Sequence, residues 1–295
     1  MTVLLTGANG FTGRFVCAEL KRRDIPFICL LRPGSDRSWM DRHKFPVRFA
    51  DLNDHHQLAK QLTGCNALLN IASLGFGAAP SIVDACVSSA VRRVVFVSTT
   101  SIFTNLNARS KLVRIAAEEL IASSGLEFTI LRPTMIYGTP GDRNIIRLVR
   151  WIDRWPVLPV FGDGCSLQQP VHVSDVAWSV VQSLSEPATI NREFNVPGAS
   201  ALAYNDIIRI TAHALGRRVH CLHIPSKPVV RALHLLERLG TNLPIKAEQV
   251  LRLNEDKVFS FSAAEEIFNY RPMSFDQGIR HEVSLYRSSQ DGYRL

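Results

Sequence analysis

Short apolar runs and longer mixed stretches alternate through the first half of the chain. The apolar runs are found at 2–5, 26–31, 47–50, 67–71, 94–97 and 128–131. Such runs are typical of strands that are covered on both faces of a sheet. Helical composition marks the stretches between them, at 14–23, 55–62, 80–90 and 111–123. Strands that alternate with helices predict an α/β protein with a parallel, doubly wound sheet.

Three glycines follow the first apolar run directly. Gly7, Gly10 and Gly13 recur at every third position ahead of the helical stretch at 14–23. Glycine allows a tight turn and a close approach of the backbone, and the N–H groups at a helix start attract phosphate. A strand, this turn and a helix in that order predict a cradle for the pyrophosphate of a dinucleotide.

The second half of the chain has a different pattern. Helical stretches dominate it, at 143–155, from about 174, and at 207–215, 228–239 and 247–253. Short strand-like runs separate some of them, at 169–173 and 194–196. The change predicts a dinucleotide-binding domain over 1–140, to which elements near 169–196 return. It also predicts a smaller substrate-binding lobe over 141–295.

Charge and composition narrow the partners. The chain has 295 residues, a formal net charge of +8 and a pI near 9.4, which favours anionic partners. No recognised nucleic-acid module accompanies the charge, so we expect no nucleic acid. The sequence has no 18-residue apolar run, no signal-type start and six scattered cysteines, so we expect a cytoplasmic protein. Its histidines form no metal-binding array, and we expect no metal.

Several motifs resemble the short-chain dehydrogenase/reductase superfamily, in its extended and atypical branch of NAD-dependent epimerase/dehydratase-like proteins. They lie at 6–13, 50–52, 97–99, 131–138, 170–177 and 194–196. The resemblance implies a Rossmann-type sheet with a smaller, mostly helical C-terminal substrate lobe, in a monomer or homodimer. Segments 254–264 and 271–279 resemble bacterial polysaccharide-biosynthesis epimerases and reductases. They imply a small-molecule substrate, a nucleotide- or lipid-diphosphate-linked sugar.

The end of the second predicted strand bears on the choice of cofactor. NAD-binding proteins usually have an acidic residue there, whereas the 2′-phosphate of NADP requires a cation. This chain has Arg32 with Ser35 nearby, and Arg14 follows the third glycine. Guanidinium groups bind phosphate well, so we expect NADP(H) to be preferred, with NAD(H) as the alternative cofactor. A merely solvated Arg32 is the other interpretation.

Further cofactor contacts follow from the resemblance rather than from spacing. The resemblance implies that Asp51 and Leu52 touch the adenine, that Ala72 and Ser73 line the cofactor, and that 133–135 lie beside the nicotinamide. Together with the residues already named, the full set is Gly7, Asn9, Gly10, Phe11, Thr12, Gly13, Arg14, Arg32, Ser35, Asp51, Leu52, Ala72, Ser73, Ser98, Lys111, Pro133, Thr134 and Met135.

The usual catalytic pair of this superfamily, Tyr-x-x-x-Lys, is missing. The tyrosine position falls on Ser110 and the lysine position on Arg114, with Lys111 one turn before Arg114. Serine is a far weaker acid than tyrosine at neutral pH. Thr99 occupies the position of the hydroxyl residue that ends the fifth strand.

Three interpretations of this departure stay open. Lys111 forms a modified proton relay with Ser110 or Thr99, or Tyr137 or a tyrosine of the second lobe replaces the missing one. In the third, the protein binds NADPH without turning it over, as a sensor or an assembly protein. We favour an NADP(H)-dependent oxidoreductase or epimerase and retain the inactive binder as the alternative.

Four arginines recur on one face of the helical stretch at 143–155, at positions 143, 147, 150 and 154. A substrate diphosphate, anionic lipid head groups or acidic side chains would compensate their charge. Trp151 and Trp155 flank them, which admits a peripheral membrane contact. A solvated basic face is the plainer interpretation. His172 and Asp175 are a catalytic dyad or, more simply, a core histidine and a residue at a helix start.

Overall fold

Strands and helices alternate from the first residues of the chain. The computed structural model describes residues 1–106, 109–239, 241 and 246–291. The elements of its first half are β1 (Val3–Thr6), α1 (Phe11–Arg22), β2 (Phe27–Leu31), α2 (Ser38–His43), β3 (Val47–Phe49), α3 (His55–Leu62), β4 (Ala67–Asn70), α4 (Ala79–Ser88), β5 (Arg93–Val97), α5 (Arg109–Ser123) and β6 (Glu127–Pro133).

Shorter strands and more helices make up the second half. They are β7 (Ile136–Tyr137), α6 (Ile145–Arg154), β8 (Val157–Phe161), β9 (Leu167–Gln168), β10 (Val171–His172), α7 (Val173–Ser185), β11 (Arg192–Val196), β12 (Leu202–Ala203), α8 (Tyr204–Leu215), β13 (His220–Ile224), α9 (Ser226–Arg238), α10 (Ala247–Leu253), α11 (Ser262–Phe268) and α12 (Phe275–Asp291). None of the described helices is both long and apolar enough to cross a bilayer.

Seven parallel strands form the central sheet. Their order is β11-β6-β5-β4-β1-β2-β3, so the chain winds outward from β1 in both directions. This arrangement is the Rossmann-type sheet that the alternating pattern predicts, and the predicted fold class is confirmed. β11 lies at one edge, and α7 packs against α1, so both elements join the nucleotide-binding body from the second half of the chain.

Alternation along the strands divides the apolar side chains between two layers. Leu5 packs on the face covered by α1 and α7, and Leu4 packs on the face covered by α3 and α4. Both side chains are fully buried. A third core lies in the second half, where α6, α8 and α12 enclose Ile145, Val149 and Ile279.

Three short two-stranded sheets lie around the third core. β8 pairs in parallel with β13, and its Leu158 and Val160 point into this core. β7 pairs with β10 next to α12, and β9 pairs antiparallel with β12 ahead of α8. The third core therefore holds α6 beside the carboxyl ends of the central strands.

Candidate functional site

The turn between β1 and α1 leaves no room for side chains at two of its glycines. Gly7 has a φ of +67°, and a Cβ there would lie 2.8 Å from the backbone nitrogen of Ala72. A Cβ on Gly13 would lie 2.1 Å from the Gly7 carbonyl oxygen. Glycine is therefore needed at both positions, because the turn folds tightly onto β4 and onto itself.

The start of α1 suits an anion. Gly10 has an extended conformation at the N-cap, and among the described residues no side chain caps the helix. Its first turn, which begins with Phe11 and Thr12, contains no acidic residue. The N–H groups of this turn and the helix dipole point to the space beyond β1. The site therefore fits the pyrophosphate of a dinucleotide.

Side chains beside this turn organise the outer end of the site. The Asn9 amide donates to the carbonyl of Asp36 at 2.7 Å, and Arg14 donates to the Asn9 side-chain oxygen at 3.1 Å. The Arg14 guanidinium also lies 5.2 Å from the Trp39 ring centre. Hydrogen bonds from Ser38 lower the pKa of Asp36, and the nearby Arg14 lowers it further.

Two of the predicted phosphate contacts lie in the turn after β2. Arg32 is exposed, and its carbonyl accepts the N–H of Ser35 at 3.0 Å. Neighbouring Arg37 is engaged with Asp41, which accepts its Nη2 at 2.6 Å. Arg32 is therefore the more available cation of the two.

The predicted adenine side of the site is built from the ends of β3 and β4. Asp51 Oδ1 accepts the N–H of Asn53 at 2.9 Å, while Leu52 packs against the sheet core. Ala72 N–H donates to Thr6 Oγ1 at 3.4 Å, and Ser73 Oγ accepts the N–H of Gly75.

At the predicted nicotinamide end, β5 and β6 finish side by side. Ser98, Thr134 and Met135 line a cleft there, and Pro133 accepts a hydrogen bond from Thr100 at 3.4 Å. Thr134 Oγ1 donates to the Gln169 carbonyl at 2.5 Å. The buried hydroxyl of Ser98 has no hydrogen-bond partner in the described part of the chain. A polar group of a bound nucleotide would satisfy this hydroxyl.

The predicted catalytic residues separate into two groups. Thr99, Ser110 and Arg114 line the cleft, whereas its described wall includes neither Lys111 nor Tyr137. The Lys111 ammonium instead donates to the Thr104 carbonyl at 2.6 Å. Burial lowers the pKa of Arg114, and the charge of nearby Arg252 lowers it further.

Tyr137 lies inside the third core. Its side chain is fully buried, 5.4 Å from the ring of His172 and 5.1 Å from that of Phe275. Burial raises the pKa of its phenol strongly. A Cβ on Gly278 would lie 2.1 Å from the phenol oxygen, so α12 closes over the ring.

His172 and Asp175 have separate contacts. The His172 ring nitrogen Nδ1 lies 2.7 Å from Ser174 Oγ, and burial lowers the pKa of the imidazole to about 4. Asp175 accepts the N–H of Met273 at 3.0 Å, and burial raises its pKa to about 6. His172 therefore caps the start of α7, and Asp175 connects α7 to the backbone ahead of α12.

The segment 252–259, which comprises the end of α10 and the residues after it, forms the opposite wall of the cleft. Glu255 accepts the Thr104 hydroxyl and the Asn105 N–H, both at 2.6 Å, and so fastens this wall to the loop after β5. The Phe103 and Phe259 rings lie 5.7 Å apart. The segment was noted in the sequence only as a family-like motif, and nothing local indicated that it faces β5.

Lys257 lies in this wall, and sequence reasoning did not identify it as a site residue. Its ammonium donates to Gln168 Oε1 at 3.2 Å and to the Arg252 carbonyl. Burial lowers its pKa to about 8. A lysine poised near neutral pH in a cleft is suited to acid–base chemistry.

α6, which begins at Ile145, and the loop just before it supply two of the cations of the cleft. The whole cleft measures about 1170 Å³ and runs from Gly7 to this helix. Arg143 and Arg147 line it, whereas Arg150 and Arg154 lie outside its described wall. The four arginines that the sequence places on one helix face are thus divided between the cleft and the outer surface.

A family model described as NAD(P)H-binding matches residues 7–187. The chain belongs to this family. Its match covers the glycine turn, the β5 and β6 ends and α6, which form one side of the cleft, and excludes the opposite wall at 252–259. The expectation of a nicotinamide nucleotide as cofactor is thereby confirmed, without a distinction between NAD and NADP.

Individual relatives show how widely the family varies. A ceramide reductase of Caulobacter vibrioides is 25% identical over 309 residues, covering 97% of this chain and 95% of its own. The mitochondrial NADH dehydrogenase [ubiquinone] 1 alpha subcomplex subunit 9 of Dictyostelium discoideum is 24% identical over 279 residues. The match covers 87% of this chain and 76% of that protein.

The fold is shared with sugar-nucleotide enzymes. The UDP-glucose 4-epimerase of Thermotoga maritima, solved with UDP-glucose, superposes with a TM-score of 0.78. It is 15% identical, and the match covers 98% of this chain and 100% of that one. The resemblance to epimerase/dehydratase-like short-chain dehydrogenase/reductases is confirmed, and at this identity the structural likeness concerns the fold.

Proposed function

We propose that the protein is an NADP(H)-dependent oxidoreductase or epimerase that acts on a nucleotide- or lipid-diphosphate-linked sugar. One observation carries the proposal: a single cleft joins the glycine turn at α1 to the cations of α6. The turn would hold the cofactor pyrophosphate, and Arg143 and Arg147 would hold the substrate diphosphate. UDP-glucose in the Thermotoga epimerase supports this class of substrate.

Preference for the phosphorylated nucleotide is supported by the charges around the glycine turn. Arg14 and Arg32 flank the site where the adenosine ribose would lie, and Ser35 adds a hydroxyl. Asp36 is the acidic group in this region, and its carbonyl and carboxylate are engaged by Asn9 and Ser38. Two guanidinium groups would therefore meet a 2′-phosphate with little competition.

The chemistry would combine the cofactor with residues from both walls of the cleft. When bound, NADPH supplies a hydride to a carbonyl carbon of the substrate. Thr99 and Ser110 would orient the carbonyl oxygen, and the Lys257 ammonium would donate the proton that this oxygen takes up. Lys111, through its bond to the Thr104 carbonyl, would position the loop that carries Thr99.

Lys257 is a better candidate for the proton donor than Tyr204 or Tyr137. Its pKa is lowered to about 8, whereas burial raises the pKa of Tyr204, a second-lobe tyrosine that also lines the cleft. Tyr137 is buried in the third core and is not among the described residues that line the cleft.

A second candidate function is NADPH binding without turnover, within an assembly. Ser110 and Arg114 in place of the tyrosine and lysine favour it. The relative that is a subunit of NADH dehydrogenase also supports it.

Purified protein with NADPH and a panel of oxidised sugar nucleotides tests the choice. We expect the absorbance of the reduced nicotinamide to fall with at least one substrate, and an epimerised or reduced product to form. Tight NADPH binding without turnover across nucleotide- and lipid-linked substrates would favour the second function. Absence of NADPH binding would contradict both.

A further inference from the structure

α9 packs against the protein along one narrow side. It makes its main contacts with α10, and none of its thirteen residues, all of them described, is buried. Leu235 and Leu239 are 61% and 71% exposed. Ala232 lies on the same side as these leucines, because positions three and seven apart share a helix face.

Cations run beside this apolar stripe. Lys227, Arg231 and Arg238 are exposed and recur at i, i+4 and i+11. The acidic residue of the helix, Glu237, faces the protein and accepts the N–H of Ala247 at 3.0 Å. The outward surface of α9 is therefore part apolar and part cationic.

The sheet formed by β8 and β13 also has exposed apolar side chains on its outer face. Leu158 and Val160 point into the third core, so alternate residues of β8 point outward. Val157 is 45% exposed, and Leu222, whose backbone pairs with that of Pro159, is 56% exposed. β13 leads directly into α9, which joins this face to the helix.

Two tryptophans extend the surface at the end of α6. Trp151 donates its indole N–H to the Val157 carbonyl at 2.9 Å and is 42% exposed. Trp155 is 51% exposed, with the Arg154 guanidinium 5.5 Å from its ring centre. We call these residues the docking surface: Trp151, Trp155, Val157, Leu222, Leu235 and Leu239.

We propose that the docking surface seats the protein on an anionic lipid bilayer. Amphipathic helices with basic residues beside the apolar stripe bind at the head-group level, and exposed tryptophans favour that depth. The cations of α9 and the net charge of +8 complement anionic lipid. A bilayer also tolerates apolar side chains spread over three separate elements, whereas a protein partner would need one shape complementary to all of them. Trp151 and Pro159 line the cleft as well, so the surface lies beside its mouth.

Sedimentation with vesicles tests the proposal. The full chain is mixed with phosphatidylcholine vesicles that contain or lack phosphatidylglycerol. We expect binding to the anionic vesicles that weakens with added salt. Leu235→Gln with Leu239→Gln, and separately Arg231→Gln with Arg238→Gln, should each reduce the partition constant by about tenfold or more.

Matched variants on the nucleotide-binding half provide the controls. Leu112→Gln changes a leucine of similar exposure on α5, and Arg42→Gln with Lys60→Gln removes two exposed cations there. These variants should bind vesicles like the unchanged protein. NADPH affinity and melting temperature should be equal in all of them, which separates this result from a failure of the proposed function.

Three outcomes would overturn the proposal. They are absence of vesicle binding, equal binding to vesicles with and without phosphatidylglycerol, and α9 variants that bind as well as the controls. Self-association that the leucine substitutions abolish, with no vesicle binding, would assign the surface to a second copy of the chain instead.

Discussion

Single glycines decide whether the turn after β1 can accept a pyrophosphate. Gly13→Ala would place a methyl group 2.1 Å from the Gly7 carbonyl oxygen. Because the obstacle is backbone, the turn must open, and we expect NADPH affinity to fall by at least about tenfold. Titration of NADPH fluorescence measures the change.

A glycine outside the cleft separates loss of binding from loss of stability. Gly64→Ala strains a residue with a φ of +79° after α3, where the added methyl group meets no atom within 4 Å. This variant should lose about 1 kcal/mol of stability and keep its NADPH affinity. Equal affinities of the Gly13 and Gly64 variants would refute the pyrophosphate site.

Arg32 should determine the choice between the two nicotinamide nucleotides. Arg32→Ser removes an exposed cation from the turn where the 2′-phosphate would lie. A charge-assisted hydrogen bond to phosphate is worth about 1.5–3 kcal/mol, so NADPH affinity should fall roughly tenfold to a hundredfold while NADH affinity is kept. Arg37→Ser is the control, because Asp41 already holds that guanidinium. A parallel loss for both nucleotides would contradict the assignment.

The lowered pKa of Lys257 predicts how carbonyl reduction depends on pH. With a pKa of about 8, its ammonium is present below that pH and is lost as the pH rises through it. Turnover at saturating NADPH should therefore decline above about pH 8. Lys257→Met should lower kcat by about a hundredfold or more, leave NADPH affinity unchanged and remove this decline.

Lys246→Met, an exposed lysine ahead of α10, should leave the profile unchanged. If Tyr204→Phe rather than Lys257→Met removes turnover, the proton comes from the tyrosine.

At the scale of elements, a pair of carboxyl groups holds α12 to the start of α6. Glu282 is fully buried and accepts the Gly138 N–H at 3.2 Å. Burial and the neighbouring Asp142 raise its pKa to about 10, so its carboxyl is protonated at neutral pH. Asp142 in turn accepts the N–H of Asn144 at 2.6 Å, ahead of the arginines of α6.

Because of this raised pKa, the stability of the folded protein depends on pH. The folded state holds the Glu282 proton more tightly than the unfolded state, so stability falls as the pH rises toward about 10. Glu282→Gln keeps a neutral donor and should flatten that fall, while Glu282→Leu should cost about 1–3 kcal/mol at neutral pH. Thermal unfolding over a pH series measures both effects. Glu265→Gln, at an exposed position of α11, should change neither. If stability falls with pH as steeply in Glu282→Gln as in the unchanged protein, Glu282 is not the cause of the fall.

How far the sequence predicts each element depends on how that element is covered. β1, β2, β4, β5 and β6 are largely buried, and their apolar runs mark them plainly, whereas β3 is a more exposed edge strand with a shorter run. β13 lies half exposed, and its sequence His220–Ile224 mixes two histidines with apolar residues, so no run reveals it. α2 has six residues, too few for a helical period to emerge. Of α12, the sequence indicates only the first residues, through the family-like motif at 271–279.

At the scale of the whole molecule, the candidate site is predictable only where it is local in sequence. The glycine turn lies within one strand–turn–helix unit, and its residues meet whatever the rest of the chain does. Glu255 and Thr104 are 151 residues apart, and only the tertiary contact between the segment after α10 and the loop after β5 brings them together. The same long-range packing places Lys257 in the cleft and Tyr137 in the third core, so neither placement could be derived from spacing.

The two halves of the cleft should respond to separate ligands. A ligand at a hundred times its dissociation constant stabilises a folded protein by about 2.7 kcal/mol. NADPH should therefore raise the melting temperature, and a sugar nucleotide should raise it further once the cofactor is bound. Arg143→Gln with Arg147→Gln should remove the second increase and keep the first, because these side chains line the part of the cleft formed by α6. Arg150→Gln, outside the described wall of the cleft on the same helix, should keep both increases.

If the double variant keeps the second increase, the substrate diphosphate does not lie at α6. If it loses the first, α6 contributes to the cofactor site instead.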